Sequence, residues 1–264
     1  MTKVAKIIIQ ATALTLGASG IAWATPSTQI WIPSTDVQAF GTIHLGIDNY
    51  VRSSGVSKTG QPAPYRDPNV YDIGPEVGFL PFGKLQGELG FDYLGNATEP
   101  NDNHPWSANI KFGTPEDSLF KYSPAIAVGA YNLGPSLSRA VAPSVTSGQN
   151  IIYVLAAKTI PVMGRLSAGY YRGSERALVS DATTLNAAND GLLLSWDRTM
   201  SEISDKLWMA VDYQGGNNVD GAVNVGASWS FAKNVSVIFG YDMYTTKALA
   251  GNNTFTTQLD INYP

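Results

Sequence analysis

Apolar and polar residues alternate with a period of two along most of the chain, the pattern of strands with two different faces. At the C-terminus, Phe255, Thr257, Leu259, Ile261 and Tyr263 share one face, and Thr256, Gln258, Asp260 and Asn262 the other. Leu85, Leu89, Phe91 and Tyr93 alternate with Gln86, Glu88 and Asp92, and Leu207, Met209, Val211 and Tyr213 with Lys206, Trp208, Ala210 and Asp212. Val235, Val237, Phe239, Tyr241 and Met243 form another apolar row, and Val37, Ala39, Ile43, Leu45 and Ile47 stand opposite Gln38, Thr42, His44 and Asp48. Twelve such segments are predicted, at about 37–51, 70–80, 84–95, 106–114, 122–133, 150–159, 165–173, 190–198, 206–214, 221–231, 235–245 and 254–263.

The connections alternate in length. Arg52–Asn69, Asn96–Pro105, Gly134–Gln149 and Ser174–Asn189 are long and polar, whereas Pro81–Gly83, Ile160–Gly164, Thr199–Asp205 and Ala232–Asn234 are short. Long loops on one rim and short turns on the other predict an all-β, single antiparallel up-and-down transmembrane barrel, with the short turns periplasmic and the long loops extracellular. A soluble sandwich or lipocalin-like barrel shares the alternation, since period two alone does not say which face meets solvent. Aromatics at both strand ends favour the membrane barrel. The expected girdle comprises Tyr93, Trp106, Tyr213 and Tyr241 (with Tyr131, Tyr153, Tyr170 and Phe255) toward the long loops, and Trp229, Phe231 and Tyr263 toward the short turns.

The first residues follow a different grammar. Lys3 and Lys6 precede an apolar stretch from Ile7 to Ala22, and Ala22-Trp23-Ala24 offers small residues at both positions of a cleavage site, as in a secretory signal peptide. The expected division is a cleaved signal over 1–24, an extended periplasmic leader or partial plug over 25–36, and an outer-membrane barrel over 37–264. In the leader, Ile30, Trp31 and Ile32 either plug the lower lumen, bind a periplasmic partner, or simply hold a tryptophan at the membrane interface.

With its signal, its hairpin rhythm over 37–263 and its terminal strand TFTTQLDINY, the chain resembles Gram-negative outer-membrane β-barrel proteins of the porin-like kind. No substrate-specific family is matched. The resemblance implies a bacterial outer-membrane location, contact with lipid and lipopolysaccharide, and recognition of the last strand by the barrel-assembly machinery, although Pro264 follows the terminal aromatic here. Any periplasmic or surface partner is unknown.

Composition narrows the function. Only 14% of the 264 residues are charged, and 17 Lys+Arg face 21 Asp+Glu, so no phosphate-neutralising surface exists and no nucleic-acid partner is expected. There is no cysteine, which excludes disulfide and cysteine-zinc scaffolds. A repeated motif, Gly46-Ile-Asp48, Gly90-Phe-Asp92, Ala210-Val-Asp212 and Gly240-Tyr-Asp242, puts four acids on the polar face at one expected level. Glu88, Asp260, Lys111 and Arg165 join them as candidate pore-lining residues, with Asp72, Glu76, Asp197 and Lys158 of the same expected parity. The expected function is a small passive pore for ions or small polar solutes, and, since carboxylate rings favour cations, a cation preference is the expectation for its lumen. In the alternative, the acids form a packed network in a non-conducting scaffold or an adhesin acting through its long loops. An outer-membrane enzyme is the least favoured class: only His44 and His104 exist, neither beside a serine, so no catalytic residue, metal or cofactor is expected.

Overall fold

The computed structural model describes residues 27–55, 69–96, 105–135 and 148–264. The signal expected over 1–24, His104, and most of the loops 52–69 and 134–149 lie outside these. Twelve strands are present: β1(Ile43–Arg52), β2(Val70–Gly78), β3(Gln86–Asn96), β4(Trp106–Thr114), β5(Ala125–Leu133), β6(Ile151–Ile160), β7(Gly164–Arg172), β8(Asp190–Thr199), β9(Leu207–Gln214), β10(Ala222–Ala232), β11(Val235–Tyr244) and β12(Thr254–Tyr263). Each pairs antiparallel with its sequence neighbours. The pairing of β1 with β12, running from Ile43↔Tyr263 to Arg52↔Thr254, closes the barrel. One short helix, α1(Lys247–Ala250), sits in the last long loop.

Closure leaves no free sheet edge, so the strand backbones satisfy one another. The expected alternation then separates outside from inside. On β6, Ile151, Tyr153, Leu155 and Ala157 are buried, while Ile152 and Val154 between them are exposed. Leu192, Leu194, Val211, Val225 and Phe239 continue this exposed apolar outer face. Of the expected girdle, Tyr93, Trp106, Tyr213, Tyr241, Trp229, Phe231 and Tyr263 occupy outward positions by this parity. Tyr93 meets Trp106 edge-to-face at 5.1 Å, and Tyr241 lies 4.8 Å from Phe255.

Three local expectations need correction. β1 begins at Ile43 rather than 37, because the chain is still leaving the barrel interior at 37–42, through Gly41 with φ +78° and a parallel bridge from Phe40 to Gly78. Tyr131 and Tyr153 are not girdle residues. Their parity turns them inward, where their rings pack 5.9 Å apart. Lys158 is not a lumen base. It stands opposite Leu166 of the outer face and pairs with Glu116 and Asp117 of the turn before β5.

Partner-to-partner, the register returns to β1 about fourteen residues from its start, a shear that tilts the strands by about 40° and sets a backbone radius of about 11 Å. About eight strands are just filled by their own side chains. Twelve leave room for more, and residues 27–36 occupy it. They fold into a tight turn inside the bore, closed by Ser34 N donating to Ser27 O (2.9 Å) and Gln29 N to Ile32 O (2.7 Å), with Thr28 bridged to Pro33.

The register makes a direct test of inside and outside. Ile151→Ala, in the inner cluster, is expected to destabilise the barrel by about 2–4 kcal/mol, whereas Ile152→Ala, one residue on and 61% exposed, changes stability by less than about 1 kcal/mol in detergent. Urea unfolding followed by tryptophan fluorescence measures both. The reverse order would mean that the strand is one residue out of register.

Candidate functional site

The inserted turn 27–36 is an apolar tip held by polar anchors. Ile30 and Ile32 are fully enclosed, at 1% and 0% exposure. Ile30 packs with Ala210 and Ile238, and Ile32 with Ala127, Ile151, Tyr153 and Leu155. The wall is thin where the tip presses on it. A Cβ on Gly226 would lie 3.0 Å from Ile30 Cδ1, and one on Gly240 would lie 3.2 Å from Ile30 Cγ2. Small residues at 210, 226 and 240 are therefore the space that receives Ile30.

Backbone groups carried into the bore must find partners there. Asp212 supplies two: its Oδ2 accepts from Ile30 N (2.8 Å) and Trp31 N (2.9 Å), while its Oδ1 accepts from Asn224 Nδ2 (2.7 Å). Gln258 Nε2 donates to Ile30 O (2.7 Å). Trp31 Nε1 donates to Asp220 O (3.1 Å), and its ring stands edge-on to Tyr50 and Tyr244.

Toward the short-turn rim the anchoring becomes ionic. Lys111 Nζ pairs with Glu88 at 2.9 Å and donates to Ser27 O and Asp36 O. Glu88 also accepts from Ser27 Oγ and from Gln38 N. Arg165 links Asp36 (2.7 Å) with Asp197 (2.9 Å), and Gln29 Nε2 donates to the same Asp197 oxygen. His44 Nε2 lies 3.6 Å from Asp260, whose other oxygen accepts from Ser236 Oγ, and His44 Nδ1 lies 3.2 Å from Asn262 Oδ1. Asp242 accepts from Thr254 Oγ1 (2.6 Å) on the neighbouring strand.

All eight sequence candidates, Asp48, Asp92, Asp212, Asp242, Glu88, Asp260, Lys111 and Arg165, thus point inward, but into two different environments. From β6 to β12 the inward side chains are nearly all buried, packed on the turn 27–36 or on each other. From β1 to β4, Asp48, Tyr50, Asp72, Glu76, Asp92 and Asn109 point inward and are only half-buried, so solvent reaches part of each within the bore, whereas His44, Glu88, Ser107 and Lys111 of the same strands are buried. Asn109 Nδ2 donates to Asp92 (2.6 Å) and Tyr50 OH approaches Asp48 at 3.4 Å. None of the four carboxylates forms an ion pair among the described residues; Asp72 Oδ1 and Glu76 Oε2 are themselves shielded from solvent and have no hydrogen-bond partner there.

Two loops close the long-loop end over β5–β9. Residues 173–189 fold inward, burying Ala177, Leu178 and Val179, with Leu178 in the same cluster as Tyr171 and Ile32. Residues 215–221 lie beside them. Asn218 Nδ2 donates to Tyr171 OH (2.9 Å), and Asn218 Oδ1 accepts from Asp220 N and Gly221 N. The sequence carried no sign of these inward loops. Its one signal for the inserted turn was the Ile30-Trp31-Ile32 run directly after the export-like segment.

No protein-family model matches the chain, and no curated protein matches it in sequence. Among solved structures, it is similar to an outer membrane channel of Pseudomonas putida F1, at 12% identity and a TM-score of 0.46 over 86% of this chain and 96% of that one. It is also similar to the KdgM porin, at 8% identity and a TM-score of 0.47 over 84% and 98% of the two chains. The Acinetobacter baumannii outer membrane protein Omp33 gives 10% identity and a TM-score of 0.42 over 85% and 98%.

Asp220 ties the loop at 215–221 to the rest of the site, its Oδ1 accepting from Gln149 Nε2 at 3.0 Å. Burial pushes its carboxyl up to about 6, with the Gln149 bond acting the other way. The folded state therefore binds this proton more tightly than the unfolded chain. Its contribution to stability is present below the ordinary carboxylate range and is lost as pH rises from about 4 to about 6. Asp220→Asn removes that dependence. The difference in thermal unfolding between pH 4 and pH 7 should shrink by the equivalent of about 2–3 kcal/mol, read as the temperature of the boiled-to-unboiled shift on a detergent gel. An unchanged pH dependence would show that Asp220 is not the group responsible.

Proposed function

We propose that this protein is a bacterial outer-membrane barrel that passes small cations along the β1–β4 side of its bore. The closed backbone and continuous apolar outer face suit immersion in lipid, since exposed apolar surface of this extent marks a membrane or partner contact. No helix among the described residues is long and apolar enough to cross a membrane. In the assembled barrel the terminal strand β12 is consumed by its pairing with β1, which fits a role for its alternating pattern during assembly rather than afterwards.

One observation carries the cation reading. Asp48, Asp72, Glu76 and Asp92 face a partly open region of the bore without ion-pair partners among the described residues, while Lys111 and Arg165 are engaged by Glu88, Asp36 and Asp197. Arg52, the inward base at the top of β1, is held over the Tyr244 ring and donates to Asn252 O (2.7 Å). The local field on that wall is thus negative, and carboxylates lining a narrow wet passage attract cations and repel anions.

A specific observation also favours the non-conducting scaffold. The turn 27–36 and the loops 173–189 and 215–221 fill the β5–β11 side, and His44, Glu88 and Lys111 at the short-turn end of the opposite side are buried as well. Refolded protein in a planar bilayer under a tenfold KCl gradient decides between them. Discrete steps with a cation-favouring reversal potential are expected, and the combined Asp48→Asn, Asp72→Asn, Glu76→Gln and Asp92→Asn variant should bring the potential close to zero. Asp197→Asn, on the packed side, should leave the preference in place. A correctly inserted but silent barrel would overturn the passage and leave the scaffold.

A further inference from the structure

We infer that residues 27–36 are the size-selecting element of the bore: a fixed partition that fills its β5–β11 side, reaches across to Glu88 and Lys111 at the short-turn end, and confines passage to what remains along β1–β4. The inference rests on the proposed passage, but it concerns what limits solute size rather than charge.

Three features argue for a partition that stays seated. First, its anchors lie at both ends and on opposite walls. Asp212 on β9 and Gln258 on β12 hold the tip, while Lys111 on β4, Glu88 on β3 and Arg165 on β7 hold the base. Second, the wall is shaped to it, with Ala210, Gly226 and Gly240 leaving the space that Ile30 takes. Third, releasing it would strand polar groups. Asp212 would lose two backbone donors, and Asp197 would lose the Gln29 amide while Arg165 lost Asp36. A buried charge deprived of its partners is strongly unfavourable.

The tip is the bulky part. Ile30 and Ile32 are enclosed against the walls and seat it there, so Trp31 is the tip side chain that sets the width left beside the partition. Trp31 is decisive, because it is half-buried and spans from Asp220 O to the rings of Tyr50 and Tyr244, at the edge of the solvent-reached strip.

Liposome swelling with sugars of increasing size tests this on the full-length chain. The Ile30→Ala, Trp31→Ala, Ile32→Ala variant should admit larger sugars and raise swelling rates several-fold, with heat-modifiable gel migration showing that its barrel is still closed. Unchanged rates in a folded variant would overturn the inference. A second variant separates a fixed partition from a swinging one. Ile30→Cys with Ala210→Cys places two cysteines in one buried cluster of a chain that has no other. Oxidation to the disulfide should leave conductance as it is in the reduced protein, and a fall to silence on oxidation would show that the segment must move to let ions pass. The two readings fail separately. Wild-type protein that is silent in KCl sinks the passage, while a conducting, cation-preferring wild type whose size limit ignores the triple substitution sinks only the partition.

Discussion

The structure is governed by the mismatch between twelve strands and the side chains available to fill their bore. With a radius of about 11 Å, the barrel wall cannot meet itself across the centre, as an eight-stranded wall nearly does. The turn 27–36 answers the mismatch by acting as a third layer inside the sheet. Its presence explains features of the wall that strand propensity does not. Glycine weakens a strand interior, yet Gly226 and Gly240 sit opposite each other in the ladder, and Ala210 is the next partner along the same row. That row is the seat of Ile30. The same segment explains why Asp212 is fully enclosed without a cation: two backbone N–H groups and an asparagine amide take the place of one.

Filling one side makes the bore asymmetric, and the same residue type then behaves in two ways. Asp197, Asp212 and Asp260 are each hydrogen-bonded by groups that reach them from the turn or from a neighbouring strand. Asp48, Asp72 and Asp92 lie on the opposite wall with few such donors. The repeated Gly/Ala-x-Asp spacing is therefore not one device used four times. At Ala210 and Gly240 the small residue makes room for Ile30. At Gly90 an added Cβ would instead meet Glu76 and Asn109, and at Gly46 it would meet His44 and Asp48. Local packing and lumen charge are both present, on different sides of one barrel.

This explains what the sequence could and could not reveal. Strand positions and faces were legible, because each strand alternates over eight to eleven residues and a slip of one would turn its whole apolar row inward. Lys158 and the first strand were misread for the same reason: alternation fades at a strand end, where a long side chain can reach the rim from either face and a turn can pass for strand. Tyr131 and Tyr153 were misassigned because an aromatic near a rim fits both a girdle and a filled interior. The contacts of the inserted turn were not legible at all. Gln258 with Ile30, Asp212 with Ile30 and Lys111 with Ser27 join residues separated by 228, 182 and 84 positions, and no local pattern encodes them.

Dryness on one wall also bears on the state of the other. Where the turn excludes water, each acid has acquired donors, as the unfavourable burial of a bare carboxylate requires. Asp48, Asp72, Glu76 and Asp92 have acquired fewer: Tyr50 OH approaches Asp48 and Asn109 Nδ2 reaches Asp92, while Gly74 between them admits no side chain, since a Cβ there would collide with Asp92 Oδ1. A wall that keeps four acids close together without a base is stable only if their charge is solvated or their protons retained. Water reaching the strip meets the first condition, so the packing of residues 27–36 against β5–β11 and the openness of β1–β4 are two consequences of one segment lying off-centre in the bore.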